Sequence, residues 1–124
     1  MLRNNDKLNP NTIVLVPHYN NITGLMNSLR SIKHSHSIDV LVVDDGSDNN
    51  QSPNISEINN ILNENVTVKI IQIPSNEGIT NALNVGLDYI LKKNTHKFVA
   101  RLDCGDVCVA NRFSIQEKFL IKKQ

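Results

Sequence analysis

The chain has 124 residues, a formal net charge of +1 and 40% hydrophobic residues. This length is typical of one domain with its own core. The small net charge, the 4% of aromatic residues and the lack of Trp argue against a nucleic-acid-binding protein. No apolar run approaches the roughly 20 residues of a membrane span, and the polar start "MLRNNDKLNPN" is not a signal peptide. Two cysteines four positions apart, Cys104 and Cys108, fit a reducing cytoplasm better than a disulfide.

The first half of the chain reads as two buried strands, each followed by a helix. Residues 1–11 are predicted to form a polar tail. "TIVLVP" from Thr12 to Pro17 and "DVLVVD" from Asp39 to Asp44 are short β-branched runs, as in buried strands. Between them, apolar residues recur at helical spacing from Ile22 to Ile32. The turn signal "DDGSDNN" closes the second strand, and a second helix is predicted from near Pro53 to Leu62.

The second half repeats the alternation. "VTVKIIQI" from Val66 to Ile73 places Thr67 and Lys69 on a polar side, which predicts a strand near the edge of the sheet. A third helix is predicted from Gly78 to about Lys93, and "KFVARLD" is a fourth strand. A last helix is predicted from Arg112 to Lys123, with Ile115, Phe119 and Leu120 facing inward.

This alternation predicts a three-layer α/β/α domain with an open, mostly parallel sheet and right-handed crossovers. Four polar clusters each follow a strand: "PHYNN", "DDGSDN", "PSNEG" and "DCGD". The carboxyl ends of parallel strands share one edge of the sheet, and ligands of open α/β sheets bind there. The sequence therefore predicts a ligand site at this edge.

The residue types at that edge restrict the ligand. Neither G-x-G-x-x-G nor the P-loop pattern G-x-x-x-x-G-K-[ST] follows the first strand, so a glycine loop does not cradle phosphates at that turn. Asp103 and Asp106 stand side by side, and Asp44 and Asp45 form a second acidic pair. Neighbouring carboxylates repel unless a cation lies near them. A divalent cation that bridges carboxylates and a diphosphate fits this pattern.

Taken together, the four motifs resemble a known family. "TIVLVPHYN", "VLVVDDGSDN", "SNEGITNALNVGL" and "FVARLDCGDVCVANRF" resemble, in order and spacing, the nucleotide-sugar-binding half of family 2 glycosyltransferases. The match runs from about Thr12 to Phe119. It implies the GT-A fold, a Rossmann-like nucleotide-diphospho-sugar transferase architecture. It also implies that residues 12–124 are a truncated nucleotide-sugar-binding domain that lacks the acceptor-binding half.

The resemblance also implies roles for particular residues. Pro17 and Tyr19 would lie at the nucleobase and ribose end of the donor, and Asp45 would accept a hydrogen bond from the uracil imide. Further donor contacts would come from Gly78, Asn84, Arg101 and Asp103. Asp103 and Asp106 would hold Mn²⁺ or Mg²⁺ against the diphosphate, although Gly105 stands where the family usually has a second acid. We expect Asp103 and Asp106 to point into one crevice beside Asp45.

The function implied is that of an inverting glycosyltransferase. Its donor would be a nucleotide-sugar, with UDP-sugars favoured, and its acceptor a glycan or lipid-linked sugar in surface polysaccharide biosynthesis. The catalytic base is expected beyond residue 124, so the chain alone is expected to be inactive. The location implied is cytoplasmic, with peripheral association of the full-length protein at the inner face of the membrane left open.

Other interpretations stay open at this stage. The domain could be a non-catalytic nucleotide- or nucleotide-sugar-binding module, for which Gly105 is an argument. A nucleotidyltransferase shares the architecture but would show a glycine-rich basic loop after the first strand. Asp44 and Asp45 also suit an ordinary turn, Asp103 a capping position, and Tyr19 a half-buried core position. Zinc ligation by the cysteines and histidines lacks a second Cys pair.

Overall fold

The computed structural model describes residues 11–33 and 36–106. Strands β1 (Thr12–His18), β2 (Ile38–Asp44), β3 (Val66–Gln72) and β4 (Phe98–Arg101) alternate with helices α1 (Ile22–Ser31), α2 (Ile55–Ile61) and α3 (Ile79–Lys93). A short 3₁₀ turn covers Asn49–Gln51. The predicted helix from Arg112 to Lys123 and the polar tail up to residue 10 lie outside the described residues.

The four strands form one parallel sheet in the order β3-β2-β1-β4. All seven residues of β1 are buried, because this central strand is covered on both faces, and this explains its continuous apolar sequence. At the edge, β3 exposes Thr67 and Lys69, which confirms the prediction of an edge strand. In register, His18 at the end of β1 lies beside Asp44 at the end of β2.

Each face of the sheet has its own core. On one face, Leu25 and Leu29 of α1 and Ile58 of α2 pack against the sheet. The buried strand residues of that cluster are Val14, Val16, Ile38, Val40, Val42, Val68 and Ala100. On the other face, Ala82 and Ile90 of α3 pack against Ile13, Leu15, Leu41 and Val43. This arrangement confirms the three-layer α/β/α prediction. No helix within the described ranges is long and apolar enough to cross a membrane.

Local sequence explains where the helices begin and end. The side chain of Asn21 accepts a hydrogen bond from the Gly24 N–H at the start of α1, and Asn54 does the same for Glu57 at the start of α2. Helix α3 ends at Lys93 and is followed by Asn94, a cap residue in the left-handed conformation (φ 52°). Because α1 and α3 begin next to the carboxyl ends of β1 and β3, their first residues lie at the predicted ligand edge.

Candidate functional site

A cavity of about 220 Å³ opens at the carboxyl edge of the sheet, on the α3 face. Four of the predicted donor-binding residues line it: Pro17, Tyr19, Asp45 and Gly78. Its other lining residues are His18, Asn76, Ile79 and Ala82. The structure thus brings together residues that are up to 61 positions apart in the sequence (17 to 78). Tyr19 is 46% exposed, lines the cavity and belongs to neither core cluster.

Asp45 organises the far wall of this cavity. Its side chain is buried, and the residue is 3% exposed. Oδ2 accepts hydrogen bonds from the Asn76 side chain and from the Gly78 N–H, both at 2.8 Å, and Oδ1 accepts one from the Glu77 N–H at 2.9 Å. The negative charge also lies at the start of α3, where the helix dipole favours it. Asp45 therefore does more than close its own turn.

The close approach of these two loops requires glycine at position 46. Gly46 has a φ of 74°, a backbone conformation that residues with a side chain rarely adopt. A Cβ there would lie 2.5 Å from the backbone carbonyl carbon of Ser75 and 2.6 Å from the backbone nitrogen of Asn76. Gly46 is therefore needed both for the turn after β2 and for the contact that brings residues 76–78 to Asp45.

Beside Asp45 lies a buried polar network that the sequence analysis missed. His18 is 2% exposed, and its Nδ1 lies 2.8 Å from Asp44 Oδ1. The Ser47 hydroxyl donates to the same oxygen at 2.6 Å and accepts from the Asn20 N–H at 2.8 Å. The available signal was the parallel register, because a polar residue ending β1 must lie beside the residue ending β2. Asp44 is thus committed to this network.

The acidic turn after β4 lies on the opposite face, against α1. The Asp106 N–H donates to the Asp103 carbonyl at 3.0 Å, and Gly105 between them has a φ of 97°. A positive φ at the third residue is the geometry of a type II turn, which favours glycine. The backbone conformation of this turn therefore explains why glycine stands at position 105, where the family usually has an acid.

Buried Ser28 of α1 fixes this turn. Its hydroxyl donates to the Asp106 carbonyl at 2.6 Å and accepts from the Gly105 N–H at 2.9 Å. The half-buried thiol of Cys104 donates to the Pro17 carbonyl at 3.2 Å, so it joins the turn to the wall of the cavity. Burial, and then the charges of Asp103, Asp106 and Asp44, raise the pKa of Cys104 to about 12. The thiol is therefore a protonated structural donor.

The repulsion within the acidic pair is relieved by a neighbouring side chain. The Arg101 Nε donates to Asp103 Oδ1 at 2.8 Å, and its Nη2 lies 3.4 Å from Oδ2. Asp106 is exposed, and neither it nor Asp103 lines the cavity around Asp45. Residues 11–33 and 36–106 contain no group of three or more His, Cys, Asp or Glu side chains placed to hold a metal. The expected single crevice for Asp45, Asp103 and Asp106 is therefore not what the structure shows.

Two further predicted residues lie apart from the cavity. Asn84 is exposed on α3 and Arg101 is exposed at the end of β4; neither lines the cavity. Asn84 is two residues after Ala82, which packs on the sheet, and so it points away from the sheet. A cavity of about 310 Å³ at the amino ends of the strands, lined in part by Asp39, Tyr89 and His96, contains none of the predicted site residues.

Comparison with known proteins agrees with this geometry. Residues 13–122 match the profile of glycosyl transferase family 2. An uncharacterized glycosyltransferase of Rickettsia bellii is 29% identical over 109 residues, which cover 86% of this chain and 14% of the relative. A crystal structure of S. aureus TarS in complex with UDP is 28% identical, with a TM-score of 0.63, over 90% of this chain and 32% of that one.

A mannosyltransferase from Pyrobaculum calidifontis, solved in complex with GDP-Man and Mn²⁺, shares the fold. Its TM-score is 0.71 at 19% identity, over 93% of this chain and 33% of that one. The chain thus spans 14% of the Rickettsia bellii relative and about a third of these two structures. Because the match covers nearly all of the sequence and the sheet has the same architecture, the chain belongs to glycosyl transferase family 2.

Proposed function

We propose that this chain is the donor-binding part of a glycosyltransferase that uses a UDP-sugar. The observation that carries the proposal is the cavity at the carboxyl edge, where Pro17, Tyr19, Asp45 and Gly78 meet. The rest of the protein would bind the acceptor, a glycan or lipid-linked sugar in surface polysaccharide synthesis, and would supply the catalytic base of an inverting reaction. The reaction would take place at the cytoplasmic face of the membrane.

The hydrogen bonds of Asp45 support a uracil base. An ionised carboxylate offers about four acceptor positions, and three of them are filled by residues 76–78. The fourth, on Oδ1, is available to one N–H donor on the ligand. The imide N–H of uracil is such a donor, whereas the equivalent ring nitrogen of cytosine carries no proton. Exposed Tyr19 offers an aromatic face on which the base would stack.

The acidic turn supports a divalent cation that is shared with the diphosphate. Mg²⁺ and similar ions are often held by one or two carboxylates together with substrate phosphates, so the residues present fit such an ion. Asp103 and Asp106 would hold the ion, which would stabilise the negative charge of the departing nucleoside diphosphate. Arg101, now paired with Asp103 at 2.8 Å, would be released towards the same phosphates.

Calorimetry with UDP, CDP and GDP on the purified chain tests the base-binding part of the proposal. We expect UDP to bind more tightly than CDP, and Tyr19→Ala to weaken UDP binding about tenfold through lost stacking. Tyr89→Ala is the matched control, because Tyr89 lies at the other end of α3 beside Lys69. Equal losses in the two variants, or no preference for UDP over CDP, would contradict the proposal.

The same titrations with and without Mn²⁺ test the metal-binding part. We expect Mn²⁺ to strengthen UDP binding, and Asp103→Asn and Asp106→Asn to reduce this gain while the preference for uracil remains. Asp88→Asn removes an exposed carboxylate that is paired with Lys92 on α3, and it controls for net charge. UDP binding that is independent of metal would favour the alternative of a non-catalytic nucleotide-binding module. The ion pair between Arg101 and Asp103 is consistent with that alternative, because it neutralises one of the two carboxylates.

A further inference from the structure

A buried imidazole, that of His18, lies between the two loops that form the cavity. We propose that His18 is a positioning residue: held as the neutral imidazole with its proton on Nδ1, it sets the positions of Pro17 and Tyr19 relative to Asp45. For the identity of the ligand, this inference rests on the proposed function. The arrangement of His18 itself follows from the hydrogen bonds alone.

The two ring nitrogens have different partners, which fixes the tautomer. The backbone N–H of Asn21 points at His18 Nε2 at 3.2 Å, so Nε2 must accept and carries no proton. Nδ1 therefore carries the proton and donates it to Asp44 Oδ1 at 2.8 Å. That oxygen also accepts from the Ser47 hydroxyl, so the carboxylate is fixed from two sides. A proton on Nε2 would face the Asn21 N–H and remove this hydrogen bond.

These hydrogen bonds anchor the backbone both before and after Tyr19. His18 precedes Tyr19 and is anchored to Asp44 of the neighbouring strand. Asn21, two residues after Tyr19, is held by His18 Nε2, and the Asn20 N–H between them donates to Ser47 Oγ at 2.8 Å. Tyr19 itself is 46% exposed, so its own packing does not fix its position. The backbone on either side of it must do so.

Asp44 also connects this arrangement to the opposite wall of the cavity. Asp45, the next residue, holds residues 76–78, and its N–H donates to the His18 carbonyl at 2.8 Å. The loop after β1 and the loop after β2 are thus joined twice at His18, once through its side chain and once through its backbone. Loss of the imidazole would leave buried Asp44 with one partner fewer and would release the wall formed by Tyr19.

Three substitutions separate positioning from general stability. His18→Phe keeps a ring but removes both hydrogen bonds. His18→Asn keeps a donor near the Nδ1 position for Asp44 but provides no acceptor for Asn21. His96→Phe is the matched control, because His96 Nε2 lies 2.7 Å from Asp39 Oδ2 in a second His–Asp pair at the amino ends of the strands. UDP affinity and the urea midpoint are measured for each variant.

We expect His18→Phe, which removes both hydrogen bonds that hold the wall, to weaken UDP binding about tenfold. His18→Asn, which removes one of them, should weaken it about threefold. His96→Phe should lower the urea midpoint yet change UDP affinity less than about twofold. If His18→Phe does not fold, His18→Asn decides the question. UDP affinity that falls only in proportion to stability, equally in the His18 and His96 variants, would overturn the positioning role.

A second readout needs no ligand. Heteronuclear NMR of the imidazole nitrogens should show a protonated Nδ1 and an unprotonated Nε2 for His18 near neutral pH. A proton on Nε2, or nitrogen signals that show a mixture of the two tautomers, would refute the inference even if UDP binds. Conversely, if the wild-type chain does not bind UDP, the proposed function fails while the nitrogen spectrum still decides the state of His18.

Discussion

Replacing Asp45 by Asn tests whether this carboxylate builds the wall of the cavity. The substitution keeps the shape of the side chain but turns one oxygen into an NH₂ group. Oδ2 faces two donors and Oδ1 faces one. The least costly orientation therefore places the NH₂ group at Oδ1, where it meets the Glu77 N–H as donor against donor. One hydrogen bond is lost, and the other two lose their charge assistance.

The cost follows from these contacts. A hydrogen bond to a charged group contributes about 1.5–3 kcal/mol, and the charge at the start of α3 contributes a further 0.3–1 kcal/mol or so. We therefore expect Asp45→Asn to lower the free energy of unfolding by about 2–4 kcal/mol. For a small domain, whose stability is about 5–15 kcal/mol, this is a large fraction.

Urea unfolding followed by circular dichroism measures the effect. With a slope of about 2 kcal/mol per molar urea, the midpoint should fall by about 1–2 M. Asp48→Asn is the matched control, because Asp48 lies in the same loop with an exposed side chain whose nearest described contact is the Asn20 amide at 3.3 Å. Its expected change is within about 0.5 kcal/mol. If both variants unfold at the same urea concentration, Asp45 does not organise residues 76–78.

Three further outcomes are expected. Gly46→Ala should destabilise the protein by more than about 1 kcal/mol in the same urea assay, because φ is 74° and a Cβ would contact the backbone at 2.5 Å; an unchanged midpoint would contradict the close approach of the loops. In a Cys108→Ser background, Cys104 should be alkylated several hundredfold more slowly in the native than in the unfolded chain at pH 9, since its raised pKa leaves only roughly one native thiol in a thousand ionised. A native Cys104 that is alkylated at the rate of the unfolded chain would rule out the raised pKa. The raised pKa also makes stability depend on pH: its contribution to the native state is present below the ordinary thiol pKa and is lost as pH rises towards about 12. Lys69→Met should raise the pKa of Tyr89, since the hydrogen bond from Lys69 lowers it, and titration of phenolate absorbance in a Tyr19→Phe background measures the change.

Much of the fold could be predicted because its signals are local. The buried strands β1 and β2 are continuous β-branched runs, and α3 begins after Gly78, as its apolar periodicity predicted. Polar side chains on β3 indicated an edge strand. Strand order within the sheet has no such local signal, because it depends on which strands pair across long stretches of sequence.

For the candidate site, too, the features with a local sequence signal could be predicted and the long-range contacts could not. Its place at the carboxyl edge followed from the polar clusters after each strand, since parallel strands all end on one side. Four of the predicted residues do meet in one cavity there. Asn84 does not, because the helix turns it away from the sheet. The acidic turn lies on the opposite face, since Ser28 and Gly24 of α1 hold it there.

What the sequence by itself determined is therefore the layer architecture, the edge that carries the polar residues and the family to which the chain belongs. Only the tertiary structure decided the partners of each charge: Asp45 holds residues 76–78, Asp44 holds His18, and Arg101 neutralises Asp103. The physical reason is that strand and helix propensities act over a few neighbouring residues. A buried carboxylate, in contrast, must find donors wherever the packed chain brings them, and for Asp45 they lie 31 to 33 residues further along.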